Sequence, residues 1–483
     1  MWKVLALSVL SAAALVDGAL LGPRPAALPA ALRGPSVSTD TFEQKLDHFS
    51  PSDRRTWKQR YVSWVGANAA DGPAFILLSG QEPIHSQMQL MNSFAAKIGD
   101  SLQGRSFHLE HRFYGESRPT GDLKLESLRY LSQDQAVADI AYFIAYLRKQ
   151  ALIPEQSKVV LYGGAYAGNL ATWARLKYPH LVHAAVASSA PLLAKVDFPE
   201  YIDEVMKKLE QYGDKQCADV VRDVVDYVDA ESKTSAGIQG LVDTFKLCKP
   251  FGDKPWDVDM LFNRIATVPA STVSSINVDP NYDIVGEVCH LLREGTTPKS
   301  KAERLAEAGG FGMSDDKLCE TISYADSIAG AQKENWGEAV DQDGDQIYDR
   351  PSLYQSCTEQ GVFTTLAHWK GHYPLELSLQ KCQDVFGPDF DKQLLEKAVR
   401  RTNQEFGGNA PDVRRVVFVR GEIDPYNVLG VRDDLEDMEP VITIAGMAAC
   451  ADVHAASRQD TQAVTEARTL ITQQLTKFLA MTD

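Results

Sequence analysis

The sequence predicts an α/β fold, a mostly parallel sheet whose chain leaves into a long helical insertion and then returns to complete the sheet. Three observations predict it. Strand-like and helix-like runs alternate from residue 59 to residue 191, strand-like runs become scarce between Phe198 and Tyr348, and they resume at Val413–Pro425 and Glu439–Ala448. Alternation of this kind builds parallel strands joined by crossover helices, which cover the sheet on both faces.

The elements follow in order. Lys3 gives a positive start, Val4 to Val16 is nearly all apolar or small, and Asp17–Gly18–Ala19 offers a small-residue cleavage site. Residues 1–19 therefore read as a secretory signal peptide, with an apolar part too short to span a bilayer. Residues 20–38, rich in proline and alanine without period, read as a linker or pro-segment. Strand-like runs follow at Gln59–Trp64, Ala74–Gly80 and Arg105–Gly115. Between the last two, Met88, Met91, Phe94, Ala95 and Ile98 recur at helical spacing, and Gln133–Gln150 is a second amphipathic helix. An apolar run, Val159 to Tyr162, then enters the glycine pair Gly163–Gly164, and Leu181–Pro191 reads as a further buried strand. The insertion carries helical patterns with charged outer faces, Tyr201–Val228 and Thr234–Cys248, and the chain closes on an amphipathic helix after Thr465. The reading divides the chain into a first sheet part (39–197), a helical cap (198–348) and a second sheet part (349–483). Sheet, helical cap and sheet again is the plan of an α/β-hydrolase.

Composition narrows the partners. Acidic residues outnumber basic ones by 65 to 49, a formal charge of −16, so the chain lacks the basic balance that nucleic acid or an anionic membrane selects. All seven cysteines lie beyond residue 216: Cys217, Cys248, Cys289, Cys319, Cys357, Cys382 and Cys450. Behind a signal peptide they read as disulfide-forming, and no CxxC pair suggests zinc. An odd count leaves one thiol unpaired within the chain.

The stretch "LYGGAYAGNLATWARLKYP" (Leu161–Pro179) has the form of a strand–turn–helix elbow that presents a nucleophile. Its apex is Ala165, which has none. In α/β-hydrolases an acid and a base follow the elbow in that order, each at a strand end. Asp424 sits just past the strand around Val416–Val419, where the acid belongs, and the segment "GMAACADVH" after the next strand occupies the place of the base loop.

At these residues the chain resembles the serine peptidase family of prolylcarboxypeptidase, dipeptidyl peptidase II and thymus-specific serine protease. The matching motifs span nearly the whole mature chain: "FEQKLDHF" (42–49), "EHRFYGESRP" (110–119), the elbow with "ASSAP" (163–191), "YQSCTEQGVF" (354–363), "CQDVFG" (382–387), "GEIDPYNVLG" (421–430) and "GMAACAD" (446–452). The resemblance implies exopeptidase cleavage near proline, no cofactor and no metal. It also shows what has changed. Ala165 stands at the nucleophile serine, Ala167 at an elbow glycine, Ala449 at the base histidine and Pro83 at a glycine, while Asp424 is retained. The oxyanion region would be the Tyr166 N–H with Gly80 and Gln81. The implied disulfides are Cys217–Cys289, Cys248–Cys319 and Cys357–Cys382, leaving Cys450 over.

A methyl group at 165 cannot attack a carbonyl, and one at 449 cannot take a proton. The expected function is thus a peptidase-family protein that has lost catalysis and binds peptides, proline-containing by resemblance, or a protein partner. Two alternatives stand beside it: an active peptidase with a displaced nucleophile or base (Ser188, Ser189 and His454 being the candidates), and a structural protein whose pocket is irrelevant. The site of action would be the extracellular space or the lysosomal lumen, and the oligomeric state, a dimer included, is open. Asp341, Asp343 and Asp345 have the spacing of the first three ligands of a calcium loop, but Gln346 and Ser352 replace the turn glycine and the bidentate glutamate. His108, His111, His180 and His183 read as structural histidines, and Glu110 with Arg112 as a buried ion pair.

Overall fold

The computed structural model describes residues 36–482, except 67–68, 70, 249–250, 255, 278–281, 313–318, 341–345 and 436–438. The expected signal peptide, most of the expected linker and the three calcium-loop aspartates lie outside the described residues. Among the described residues ten strands form: β1 (Ser36–Lys45), β2 (Thr56–Val65), β3 (Ala74–Leu78), β4 (Arg105–Leu109), β5 (Val159–Gly164), β6 (Ala184–Ser188), β7 (Lys195–Asp197), β8 (Gly361–Phe363), β9 (Val416–Gly421) and β10 (Val441–Ile444). Eight of them make one sheet in the order β1-β2-β4-β3-β5-β6-β9-β10. β1 and β2 run antiparallel at one edge, and from β4 to β10 every neighbour is parallel. This is an α/β-hydrolase sheet.

Side-chain alternation places the two cores. Val159 and Leu161 of β5 pack with Phe143, Leu170 and Trp173 on one face, under the helices Gln133–Lys149 and Tyr166–Lys177. Val160 and Tyr162 pack with Ile98, Ile471 and Phe478 on the other, under Phe94–Ser101 and Gln462–Ala480. Each large apolar side chain buried this way contributes roughly 1.5–3 kcal/mol. Helix Gln133–Lys149 starts where the Ser132 hydroxyl accepts the Gln135 N–H and ends with Arg148 and Lys149 on its negative pole.

Between β7 and β8 the chain builds helices including Glu200–Tyr212, Lys215–Glu231, Asp257–Ser274 and Ile284–Arg293. Their apolar faces share a core of their own, in which Val205, Val221, Val224 and Phe262 are fully buried. Cys217–Cys289 and Cys248–Cys319 staple this core, and Cys357–Cys382 pins the returning chain, as the resemblance implies. β7 and β8 pair in parallel across the insertion, Lys195 opposite Gly361 and Asp197 opposite Phe363.

Two expectations change. β1 begins at Ser36, inside the stretch read as linker, because edge pairing with β2 needs backbone partners and not an apolar pattern. Glu110 and Arg112 do not pair. The chain turns after β4, so Arg112 reaches Asp139 of helix Gln133–Lys149 at 2.6 Å, while Glu110 takes Arg60 of β2 and the N–H of Ile84 at 2.9 Å. Glu110 thereby anchors the loop that follows β3.

Candidate active site

β5 ends at Gly164, and helix Tyr166–Lys177 begins one residue later. The single residue between them, Ala165, holds φ 49° and ψ −125°. For a residue with a Cβ that conformation costs on the order of 1–3 kcal/mol and persists only where the surroundings enforce it. The enforcement is visible. The Ala165 N–H donates to Ser188 O at 2.8 Å, and a Cβ on Gly163 would lie 2.1 Å from Ala167 O. Ala165 is exposed at the apex. Ala167, where the resemblance puts a glycine, is 2% exposed.

Gly80 approaches the start of this helix, and a Cβ built on it would lie 3.5 Å from Ala167 N. The residues that the resemblance assigns to an oxyanion region are tied together from behind by Gln355, which the sequence reading used only as part of a landmark motif. Gln355 Oε1 accepts from Gln81 Nε2 at 3.1 Å and from the Tyr114 hydroxyl at 2.7 Å, and its Nε2 donates to Tyr166 Oη at 3.0 Å. The β3 loop and the elbow helix thus share one fully buried amide.

Asp424 follows β9 and is 2% exposed. Its Oδ1 accepts the Tyr426 N–H at 2.9 Å. Burial pushes its carboxyl up to about 6, against the lowering effect of that bond and of the Ser189 hydroxyl. Tyr201 from the insertion and Tyr426 pack beside it, their ring centroids 5.0 Å apart and their planes tilted by 52°. Ala449 lies in the loop after β10. Asn277 of the insertion clamps that loop, accepting the Ala448 N–H at 2.9 Å and donating to Ala449 O at 2.6 Å.

The two serines weighed as substitutes are hydrogen-bonded elsewhere. Ser188 donates to Asp452 Oδ1 at 2.5 Å, and Asp452 Oδ2 also takes the Tyr162 hydroxyl at 2.5 Å. Burial raises the Asp452 carboxyl above its usual range. The Ser189 hydroxyl meets Asp424 and accepts the Cys450 N–H at 3.0 Å. His454 is exposed, and its backbone bridges to Ser93. Cys450 is the free thiol among the described cysteines, and burial pushes it up to about 12, so it carries no thiolate at neutral pH. His108 meets Ser79 Oγ at 2.9 Å, His111 meets Arg112 O at 2.7 Å and His183 meets Phe478 O at 2.8 Å. Among the described residues no group of three or more His, Cys, Asp or Glu side chains is placed to hold a metal ion.

An eight-stranded, mostly parallel sheet with a strained apex after β5, Asp424 after β9 and a loop after β10 defines an α/β-hydrolase fold. The profile of the serine carboxypeptidase S28 family matches residues 44–471, and the chain belongs to that family. It is 33% identical to the thymus-specific serine protease of Mus musculus over 455 residues, covering 91% of this chain and 87% of the relative. Against the Homo sapiens protein of the same name it is 31% identical over 482 residues, covering 96% and 89%. The lysosomal Pro-X carboxypeptidase of Homo sapiens is 27% identical over 463 residues, covering 92% and 88%. No described helix is long and apolar enough to cross a membrane.

Proposed function

We propose that this member of the serine carboxypeptidase family binds peptides in its inherited cleft without hydrolysing them. The observation that carries this reading is the pairing of a preserved elbow with two methyl groups, Ala165 at its strained apex and Ala449 in the base loop. In a worked protease example, loss of either the serine or the histidine alone lowers turnover roughly a millionfold. Ser188 and Ser189 supply no replacement, since each is engaged with a buried carboxyl. Ligand recognition is separable from chemistry, and the oxyanion region and Asp424 survive as polar landmarks in the cleft. Family kinship favours peptides with proline near an end, and the disulfides and the lysosomal relative favour a secreted or lysosomal lumen as the place of action.

The test is a digest of a mixed peptide library with the purified protein at pH 5 and pH 7.4, read by mass spectrometry, together with calorimetric titration of proline-containing peptides. Binding without cleavage is the expected result. Cleavage that copurifies with the folded protein through successive columns would overturn the reading.

A further inference from the structure

After β8 the chain makes a tight loop, Leu366–Tyr373, closed by a bridge between Leu366 and His372. Lys370, Gly371 and Tyr373 all hold positive φ, at 56°, 79° and 47°. Two of these are not glycine, so the loop is held against its own backbone preference. Its side chains explain how. Leu366 and Trp369 are buried in the core of the insertion. His368 Nδ1 meets Asp203 at 2.7 Å, Lys370 Nζ meets Asp226 at 2.9 Å, and His372 meets Asp229 through Nε2 at 3.1 Å and Asp259 through Nδ1 at 3.2 Å. The Tyr373 N–H also donates to Asp259, at 2.8 Å. One short loop of the returning chain thus reaches carboxylates on three helices of the insertion.

His372 is the decisive residue. Its ring lies flat on Phe262, with centroids 3.7 Å apart and planes within 10°. Each ring nitrogen faces a carboxylate oxygen, which can only accept. A neutral imidazole has one N–H and can satisfy one of the two, whereas the imidazolium satisfies both. We infer that Leu366–Tyr373 is a proton-controlled strap, which fastens the helical insertion to the hydrolase body in acid and loosens as the pH rises.

The charged groups around the ring support this reading. Asp229 comes from helix Lys215–Glu231 and carries Lys233 on its other oxygen at 2.8 Å. Asp259 comes from helix Asp257–Ser274, and on the loop itself Lys370 is held by Asp226. On the far side of the loop, Lys381 reaches the Tyr373 hydroxyl at 3.2 Å. Burial opposes charging the His372 ring, but the hydrogen bonds and charges of Asp259 and Asp229 outweigh it and raise the ring above the usual histidine range. A histidine raised in the folded state gives its full stabilisation below the unfolded value of about 6.5 and loses it as pH climbs through the raised value. Asp203 and Tyr201 share helix Glu200–Tyr212, so the strap grips the same helix that flanks Asp424. The inference does not depend on whether the cleft binds peptides.

The experiment is NMR titration of the histidines in the full chain, with amide exchange of residues 366–373 measured at pH 5 and pH 8 and corrected for intrinsic rates. We expect His372 to titrate above 6.5 and the protection of the loop to be lower at pH 8 than at pH 5. His372→Gln should abolish the difference between the two pH values. Asp259→Asn and Asp229→Asn, which keep the ring, should each lower its titration. A His372 that titrates at or below 6.5, loop protection equal at both pH values, or a pH dependence unchanged in His372→Gln would overturn the strap.

Discussion

Ser189 joins the turn after β9 to the loop after β10: its hydroxyl meets the Asp424 carboxyl, and its oxygen accepts the Cys450 N–H at 3.0 Å. One side chain therefore links the turn that carries Asp424 to the loop that carries Ala449. The serine that the sequence offered as a displaced nucleophile is a structural tie.

Ser189→Ala should accordingly destabilise the fold, because it leaves a buried carboxyl and a backbone N–H short of a partner. The expected loss is about 1–3 kcal/mol, measured by urea denaturation with the slope unchanged. A variant as stable as the parent would show that water takes over both bonds.

Asp424→Asn should act in the opposite direction, and only above the carboxyl's titration. Asp424 is raised to about 6 in the fold, so its proton stabilises the folded state below the unfolded value of about 3.9, and that stabilisation fades as pH rises through about 6. The amide is permanently neutral and can keep the Tyr426 and Ser189 contacts. Its gain at pH 7.4 should be about 2 kcal/mol, with little difference at pH 4. Paired denaturation curves at the two pH values check this.

Ala165→Ser with Ala449→His should recover hydrolysis, since the elbow backbone, the acid and the Asn277 clamp on the base loop are in place. Each single change should stay inert, and the double variant should exceed either by roughly a thousandfold or more, as groups acting as a unit do. Labelling by a fluorophosphonate, scored alongside peptide turnover, separates a reactive serine from a merely present one. An unlabelled, folded double variant would mean that the cleft has drifted beyond repair by two residues.

Gly163→Ala should break the elbow. The new methyl would meet Ala167 O at 2.1 Å, and backbone oxygen cannot swing aside as a side chain can. The cost should be about 3 kcal/mol or more, read as a lowered thermal midpoint, whereas Gly121→Ala, with nothing within 4 Å, should be nearly neutral.

Much of this arrangement was legible in the sequence, for physical reasons. Val159 to Tyr162 is an unbroken apolar run because β5 is covered on both faces, and the glycines after it mark close backbone approach. Chain order then pointed to Asp424 and to the loop after β10, and the resemblance pointed to Ala449 within that loop. What escaped depended on contacts between distant residues. The Tyr162–Asp452–Ser188 cluster joins residues 290 and 264 positions apart, and nothing local in a Tyr, an Asp or a Ser announces a shared burial site. Gln355 was in plain view inside a landmark motif, but its role appears only once Gln81, Tyr114 and Tyr166 converge on it. β1 alternates mostly between exposed and half-buried positions until Phe42, so its pattern carried no apolar signal. The Glu110–Arg112 expectation failed because it extended β4 past Leu109, where the chain in fact turns.

The small β7–β8 ladder has a consequence beyond local pairing. It sets the chain's exit from the body and its return on neighbouring strands, about 5 Å apart. The main sheet therefore does not register how long the excursion between them is. Segments bounded in this way are the ones that tolerate exchange, because the host loses no strand when the guest is lengthened, shortened or replaced. The insertion carries its own sutures, two of the three disulfides among the described residues lying wholly inside it.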